Sequence, residues 1–161
     1  MKNKDLLVLS LLREDGRVSL THLSKRTHIP VSTLFEQLRR YQHGLIKKHT
    51  AIVDFARLGY HARARVLLKA KSGEKDRLQS TLVKNPFMNE LCKVNNGFDF
   101  MVEFIYHQMH DVEMYLDTLR DSLVVKDQVF YVVDSLKEEA FLSKEDDILC
   151  EAISVACRDG L

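Results

Sequence analysis

Residues 98 to 106 contain the strongest structural pattern in the sequence. Large apolar side chains occupy every second position, in the order Phe98, Phe100, Val102, Phe104 and Tyr106. A period of two places these side chains on one face of a β-strand, and a face so apolar must be buried. The other face carries Met101 and Ile105 beside two acids, which predicts that it is partly covered as well, most simply by a second subunit.

The segments around this strand complete an ordered series of elements. The pattern predicts strands over residues 62–71, 88–94, 98–106 and 124–133, and helices over residues 74–84 and 111–123. Asn96 and Gly97 mark a tight hairpin between the second and third strands, since both residue types accept positive φ. The order strand, helix, strand, strand, helix, strand predicts a ferredoxin-like βαββαβ domain with two helices on one face of an antiparallel sheet.

The first 45 residues follow a helical period instead. We expect helices over residues 4–14, 19–26 and 31–42. Ser19 is a plausible N-cap for the second helix. Pro30 suits the first turn of the third helix and disfavours helical geometry at Ile29, so it separates the two. The fold class is therefore α+β, with a helix-turn-helix ahead of the sheet domain.

The third helix has the features of a helix that recognises DNA. Leu34, Leu38 and Tyr41 recur at i, i+4 and i+7 and form one buried stripe. The predicted exposed side chains are Ser32, Thr33, Glu36, Gln37 and Arg40. An α-helix fits the major groove of DNA, where such side chains read base edges. Gln37 is expected to pair with adenine, and Arg40 with guanine or a phosphate.

Charge separates the two halves of the chain. Residues 1–60 carry 11 Lys and Arg against 5 Asp and Glu, whereas residues 61–161 carry 13 against 18. This asymmetry indicates that the first half meets a polyanion. Residues 44–46 are expected to end the third helix and start a strand, and residues 47–49 lead into residues 51–53 to form a short basic hairpin, or wing, that contacts the DNA backbone. The cations expected on phosphates are Lys25, Arg26, Arg39, Lys47 and Lys48.

Several stretches together resemble the Lrp/AsnC (feast/famine) family of regulators. The resemblance rests on residues 21–26, Ser32-Thr33, Glu36, 38–40, 44–46 and Leu58-Gly59, and with the sheet domain it extends over residues 4–142. Pro30 departs from the family, which usually has a helix-capping Ser there. The resemblance implies a winged helix-turn-helix DNA-binding domain at residues 1–60, a RAM-type dimerisation and effector domain at 61–142, and a helical tail at 143–161.

The same resemblance implies an assembly and a ligand. The family dimerises through its sheets, which predicts a homodimer or a larger tetramer or octamer that places two recognition helices on double-stranded DNA. In the family a Gly-Asp-Tyr-Asp stretch lies near the amino-acid effector. This chain has Asn96, Gly97, Phe98 and Asp99 there. The alternative is a hairpin turn that binds no ligand.

Other function classes lack their sequence signatures. The sequence has no P-loop, GxGxxG, HExxH or GxSxG motif, so we expect no enzyme activity and no cofactor. Cys92, Cys150 and Cys157 lack CxxC spacing and predict neither a disulfide framework nor a zinc site. The apolar runs are too short to span a bilayer, and the start does not resemble a signal peptide, so the expected location is cytoplasmic.

Three alternatives remain open at this stage. His107 and His110, near Asp111 and Glu113, have a spacing that suits a metal ion but also a solvated loop. Sirohaem decarboxylases share the two-domain architecture; their histidine-bearing motifs have no convincing match here, although His61 and Arg63 to Arg65 lie near the relevant region. A DNA-coating architectural protein without sequence preference is the third. In residues 143–161, Ser143 and Asp146 predict a capped amphipathic helix that packs on the sheet domain or on a partner subunit.

Overall fold

A computed structural model describes residues 3–143 of the chain. These residues divide between two compact units: one extends up to Ile52 and resumes at Leu136, and the other runs from Val53 to Ser135. The predicted helix beyond Ser143 lies outside the described residues. Within residues 3–143, every helix is too short or too polar to cross a bilayer.

The first unit is helical. Its helices are α1 (Asn3–Glu14), α2 (Leu20–Thr27) and α3 (Val31–Gly44). Their apolar sides meet in one core formed by Val8, Leu11, Leu23, Ile29, Leu34 and Tyr41. The three predicted helices are thus confirmed. Helix α3 is two residues longer than predicted, because the backbone N–H groups of Leu45 and Ile46 both donate to the carbonyl of Tyr41 and close its last turn.

The segment after α3 does not form the predicted hairpin. Residues 45–55 contain no β-strand and are mostly exposed, so this part of the prediction is wrong. A two-stranded ribbon needs apolar cross-strand contacts to be stable. The side chains available for such contacts, Leu45, Ile52 and Val53, are instead exposed to 54%, 63% and 43%.

Residues 136–143 group with the helical unit, although the sequence-based division placed residues 136–142 with the sheet. Arg13, near the end of α1, holds this segment. Its guanidinium donates to the carbonyl of Phe141 at 2.6 Å and to the carbonyl of Glu139 at 3.1 Å. It also pairs with the Glu139 carboxylate at 3.0 Å.

The second unit is a four-stranded antiparallel sheet with two helices. After a short 3-10 helix (Ala56–Leu58), its elements are β1 (Ala62–Ala70), α4 (Lys75–Val83), β2 (Met88–Lys93), β3 (Phe100–Tyr106), α5 (Met109–Ser122) and β4 (Val124–Tyr131). The strand order is β2-β3-β1-β4. This arrangement confirms the predicted ferredoxin-like βαββαβ domain.

Both helices of this unit pack on one face of the sheet, here called the inner face. Phe100, Val102 and Phe104 of β3 are fully buried there, which confirms the predicted core face from Phe100 onward. The side chains that meet them from β1, α4 and α5 are Val66, Leu68, Leu78, Leu82, Val112, Leu116 and Leu119. Phe98 lies outside β3 and is half-buried.

The opposite, outer face is partly covered by its own side chains. Glu103 of β3 is only 3% exposed. Arg63 and Arg65 of β1 donate to one of its carboxylate oxygens at 2.9 and 3.1 Å, and Asn89 donates to the other. Burial would raise the pKa of Glu103, but these three donors outweigh it and hold the pKa below its ordinary value. The side chains that surround Glu103 on the outer face therefore belong to its own chain.

Candidate nucleic-acid interface

A well-defined turn separates α2 from α3. The Ser19 hydroxyl accepts the backbone N–H of His22 at 3.1 Å, which confirms Ser19 as the N-cap of α2. His28 ends α2 in the left-handed region at φ 54°, and Pro30 opens α3 at φ −55°. Ile29, between them, is buried in the helical core. The restricted φ angle of Pro30 and the burial of Ile29 in the helical core therefore fix the conformation of the turn.

Two buried side chains orient α3. Leu34 is fully buried, and Tyr41, two turns later, is 8% exposed. The Tyr41 hydroxyl donates to the Asp5 carboxylate of α1 at 2.6 Å. Burial, together with this hydrogen bond, raises the pKa of Tyr41 to about 12, so the hydroxyl remains a donor at neutral pH. Helix α3 is thereby packed into the helical core through Leu34 and linked to α1 through Tyr41.

The opposite side of α3 is open to solvent, as predicted. Its exposed polar side chains are Ser32, Thr33, Glu36, Arg39 and Arg40. They combine hydroxyl groups, one carboxylate and two guanidinium groups on a single helix. Guanidinium groups recognise guanine or phosphate, and hydroxyl groups serve several base edges. This surface is chemically suited to a DNA major groove.

Gln37 takes a different position from the one expected. It is half-buried, and its side-chain oxygen Oε1 is buried with no hydrogen-bond partner among the described residues. The reason is helical geometry: Gln37 lies three residues after Leu34 and four before Tyr41, at the edge of the buried stripe. A bidentate pair with adenine requires both the carbonyl oxygen and the amino group of the side-chain amide in the groove, so the Gln37 side chain must rotate to make it.

The cations assigned to phosphates belong to the same unit as α3. Lys25 and Arg26 are exposed at the last turn of α2, and Lys47 and Lys48 are exposed in the irregular segment after α3. All ten candidate DNA-binding residues therefore lie in the helical unit, and Gln37 alone among them is not exposed.

Sequence reasoning missed one residue of the exposed surface of α3. Phe35 is 57% exposed, and Val31, one turn before it, is 43% exposed. Each residue of an α-helix turns by about 100°, so position 35 lies well away from the stripe through Leu34. That offset was available in the sequence as the signal that Phe35 projects outward.

The second candidate site, Asn96 to Asp99, is a tight turn between β2 and β3. Asn96 and Gly97 have φ values of 60° and 89°, as the Asn-Gly pair predicts. Both are exposed. Phe98 is half-buried, with the Lys126 ammonium 4.9 Å from its ring centroid.

Asp99 closes this turn through its side chain. Its carboxylate accepts the Lys75 ammonium at 2.8 Å and the backbone N–H of Ala70 at 3.1 Å, and it pairs with Lys69 at 3.3 Å. The hydrogen bond from Lys75 and then that from Ala70 lower its pKa to about 2, against the opposing effect of burial. The carboxylate thus ties β1 and α4 to the start of β3 and is already occupied by donors of its own chain.

The histidines considered for a metal ion have other contacts. His107 stacks on Tyr60 with ring centroids 4.2 Å apart, and its Nδ1 atom lies 2.9 Å from the carbonyl oxygen of Gly59. His110 is exposed at the start of α5. In the part of the chain that the structure describes, no three His, Cys, Asp or Glu side chains are grouped to hold a metal ion.

Comparison of the sequence with known proteins identifies relatives of this architecture. A family of winged helix-turn-helix DNA-binding domains matches residues 1–42. The HTH-type transcriptional regulator FL11 of Pyrococcus furiosus is 33% identical over 114 residues, which cover 70% of this chain and 76% of that protein.

Solved structures share the fold along most of the chain. Escherichia coli AsnC superposes with a TM-score of 0.75 at 15% identity and covers 86% of this chain and 95% of its own. A transcriptional regulator from Neisseria meningitidis in complex with L-Met superposes with a TM-score of 0.78 at 17% identity and covers 86% of this chain and 93% of its own.

The buried amide oxygen of Gln37 predicts a gain in stability on its removal. Gln37→Met, which keeps the length of the side chain, should raise the free energy of unfolding by about 1 kcal/mol, because an unsatisfied buried polar atom is lost. Urea unfolding of the full chain measures the difference. Gln42→Met, at an exposed glutamine of the same helix, is the matched control and should change stability by less than about 0.5 kcal/mol. A loss of stability in Gln37→Met would contradict the assignment.

The lowered pKa of Asp99 predicts a pH-dependent contribution to stability. Because the pKa falls from 3.8 to about 2 on folding, the stabilisation is complete above about pH 4 and is lost as the pH falls through 2. Asp99→Asn should therefore destabilise the protein by about 1 to 2 kcal/mol more at pH 7 than at pH 2. Urea unfolding at both pH values tests this, with Asp134→Asn as an exposed-carboxylate control. An equal difference at both pH values would disprove the role of the charge.

Proposed function

The chain belongs to the Lrp/AsnC family of DNA-binding transcription regulators, and we propose on this basis that α3 is the helix that reads its DNA target. The observation that carries the proposal is the division of α3 into two sides. Leu34 and Tyr41 are buried, while Ser32, Thr33, Glu36, Arg39 and Arg40 face solvent. A helix presented in this way enters the major groove with its polar side toward the bases.

In this proposal each polar side chain of α3 contacts the DNA group that matches its hydrogen-bonding chemistry. Arg40 contacts guanine O6 and N7, or a phosphate where the base is different. Ser32 and Thr33 lie in the first turn of the helix, where hydroxyl groups bond either base edges or phosphates. Glu36 accepts a hydrogen bond from the amino group of cytosine. Gln37 reads adenine only after its amide oxygen turns outward.

The remaining cations position the helix. Lys25 and Arg26 approach the DNA backbone from the end of α2, Arg39 from α3, and Lys47 and Lys48 from the segment that follows. Such contacts release counterions from the DNA, so they contribute affinity that falls with salt and carry little sequence information. The DNA-binding domain is accordingly proposed to be residues 1–60.

The sheet domain, residues 61–142, is proposed to dimerise the protein through its outer face. Leu67 of β1 and Met101 of β3 are cross-strand partners on that face, and both are half-exposed. Phe130 of β4 is 48% exposed next to Arg65. Both helices cover the inner face, so the outer face is available to a second copy. An isologous dimer presents two α3 helices to two half-sites, and dimers join into tetramers or octamers.

An amino acid is the proposed effector, because a regulator of the same fold from Neisseria meningitidis forms a complex with L-Met, and the Asn96–Asp99 turn is its proposed site in this chain. Because the Asp99 carboxylate already has donors of its own chain, its part is to order the turn. The exposed backbone of Asn96 and Gly97, and the ring of Phe98, then supply the contacts to the ligand. The proposed role of the protein is regulatory instead of catalytic, and its proposed location is the cytoplasm.

Selection of DNA by the full-length protein tests the proposal. Random duplexes are enriched over several rounds, and Kd values are measured for the selected site and for a scrambled duplex. Arg40→Ala should weaken binding to the selected site by about 5- to 150-fold, with a much smaller effect on the scrambled duplex. The matched control Lys47→Ala should weaken both about equally and reduce the salt dependence. If no sequence is enriched, the assignment of α3 is wrong, and similar Kd values for unrelated duplexes would then identify an architectural DNA-binding protein.

Introduction of a negative charge on the outer face of the sheet tests the proposed dimer. Phe130→Glu should convert the protein to a monomer, or raise the dimer dissociation constant at least about tenfold, because it places a carboxylate in an apolar contact. Sedimentation velocity over a range of protein concentrations measures the change. Met114→Glu, at a side chain 57% exposed on α5, is the control and should leave the assembly intact. A Phe130→Glu protein that still dimerises would place the interface elsewhere.

A further inference from the structure

Helix α3 exposes an apolar edge beside its polar surface. Phe35 is 57% exposed and Val31 is 43% exposed. They stand four residues apart and therefore share one edge of the helix. Neither belongs to the helical core, whose α3 members are Leu34 and Tyr41. Because the exposed phenyl ring lies on the helix proposed to bind DNA, we ask which group it contacts in the complex.

The surroundings of Phe35 favour a nucleic acid as that partner. On the helix surface its neighbours one turn before and one turn after include Ser32 and Arg39. Both side chains are exposed. An apolar edge this narrow, bordered by a hydroxyl group and a guanidinium group, complements an anionic groove that contains isolated apolar groups. The core of a protein–protein interface, by contrast, is depleted in charged residues.

Only one apolar group recurs on the floor of the major groove. Guanine, adenine and cytosine present hydrogen-bonding atoms there, whereas thymine presents an acceptor and its C5-methyl group. The phenyl ring offers no hydrogen bond to a phosphate or to a base edge, but it makes favourable contact with a methyl group. We propose that Phe35, supported by Val31, is a specificity-determining residue that selects thymine by contact with its C5-methyl group.

This inference rests on the proposed function of α3 and extends it to the base that one edge of the helix selects. The contact distinguishes thymine from cytosine and also from uracil, which pairs in the same way but lacks the methyl group. Replacement of thymine by uracil therefore removes the proposed contact alone. All base-pairing groups and the phosphates remain unchanged.

The experiment uses the full-length protein and the duplex that it selects. Each thymine of the half-site is replaced in turn by deoxyuridine, and Kd is measured at constant salt. For the wild-type protein, at least one replacement in each half-site should weaken binding about three- to fivefold, the effect of one buried methyl group. Phe35→Ala should bind the thymine and uracil duplexes with equal affinity, and Phe35→Leu should retain part of the discrimination.

Controls separate this inference from the function on which it rests. Met114→Ala, at an exposed apolar residue of α5, should discriminate uracil as the wild-type protein does, and circular dichroism confirms that each variant is folded. If the wild-type protein binds its selected site but is insensitive at every thymine, or if Phe35→Ala retains the sensitivity, the inference is wrong while the function of α3 stands. If no DNA sequence is selected, both fail.

Discussion

The packing of α3 into the core of the helical unit is the constraint on which the DNA-binding surface depends. Leu34, buried in that core, provides the apolar part of this packing, and the hydrogen bond from Tyr41 to Asp5 of α1, 36 residues apart in sequence, provides its polar part. A helix held along one side can present only its other side. The exposure of Ser32, Thr33, Glu36, Arg39 and Arg40 is therefore a consequence of packing and does not depend on those residues themselves. Substitutions on the exposed side can change the preferred DNA sequence while the fold is kept.

Two carboxylates on or next to β3 each link this strand to neighbouring elements of the sheet domain. Asp99 precedes the strand and joins it to β1 and α4, and Glu103 lies in the strand and accepts donors from β1 and the start of β2. In both, hydrogen bonds from the chain outweigh the cost of burial. The position that family resemblance assigns to an effector therefore has a structural task already. Any ligand at this turn meets a surface that Asp99 has ordered in advance.

Much of the fold follows from local pattern. The helical period of Leu34, Leu38 and Tyr41 predicted α3, Ser19 predicted the start of α2, Pro30 predicted the end of the turn before α3, and the alternation through β3 predicted its core face. These features depend on neighbours a few residues away, so the sequence displays them directly.

The incorrect predictions concern features whose structure depends on contacts between residues that are far apart in the sequence. The hairpin after α3 required strand pairing that residues 45–55 do not make, although their composition allows it. The orientation of Gln37 depends on a core edge that a helical wheel resolves only coarsely. The donors to Asp99 come from Ala70 and Lys75, more than twenty residues away, and those to Glu103 come from two different strands. Side-chain partners of this kind appear only once the sheet is assembled.

Hydroxyl-radical footprinting of the protein, read by mass spectrometry, tests the central claim most directly because it reports the solvent exposure of side chains. The full-length protein is oxidised with and without its selected duplex. We expect the peptide that spans α3 to lose reactivity on DNA binding, whereas the peptide with Met114 on α5 remains unchanged. Protection of the sheet domain with α3 still fully reactive would contradict the account.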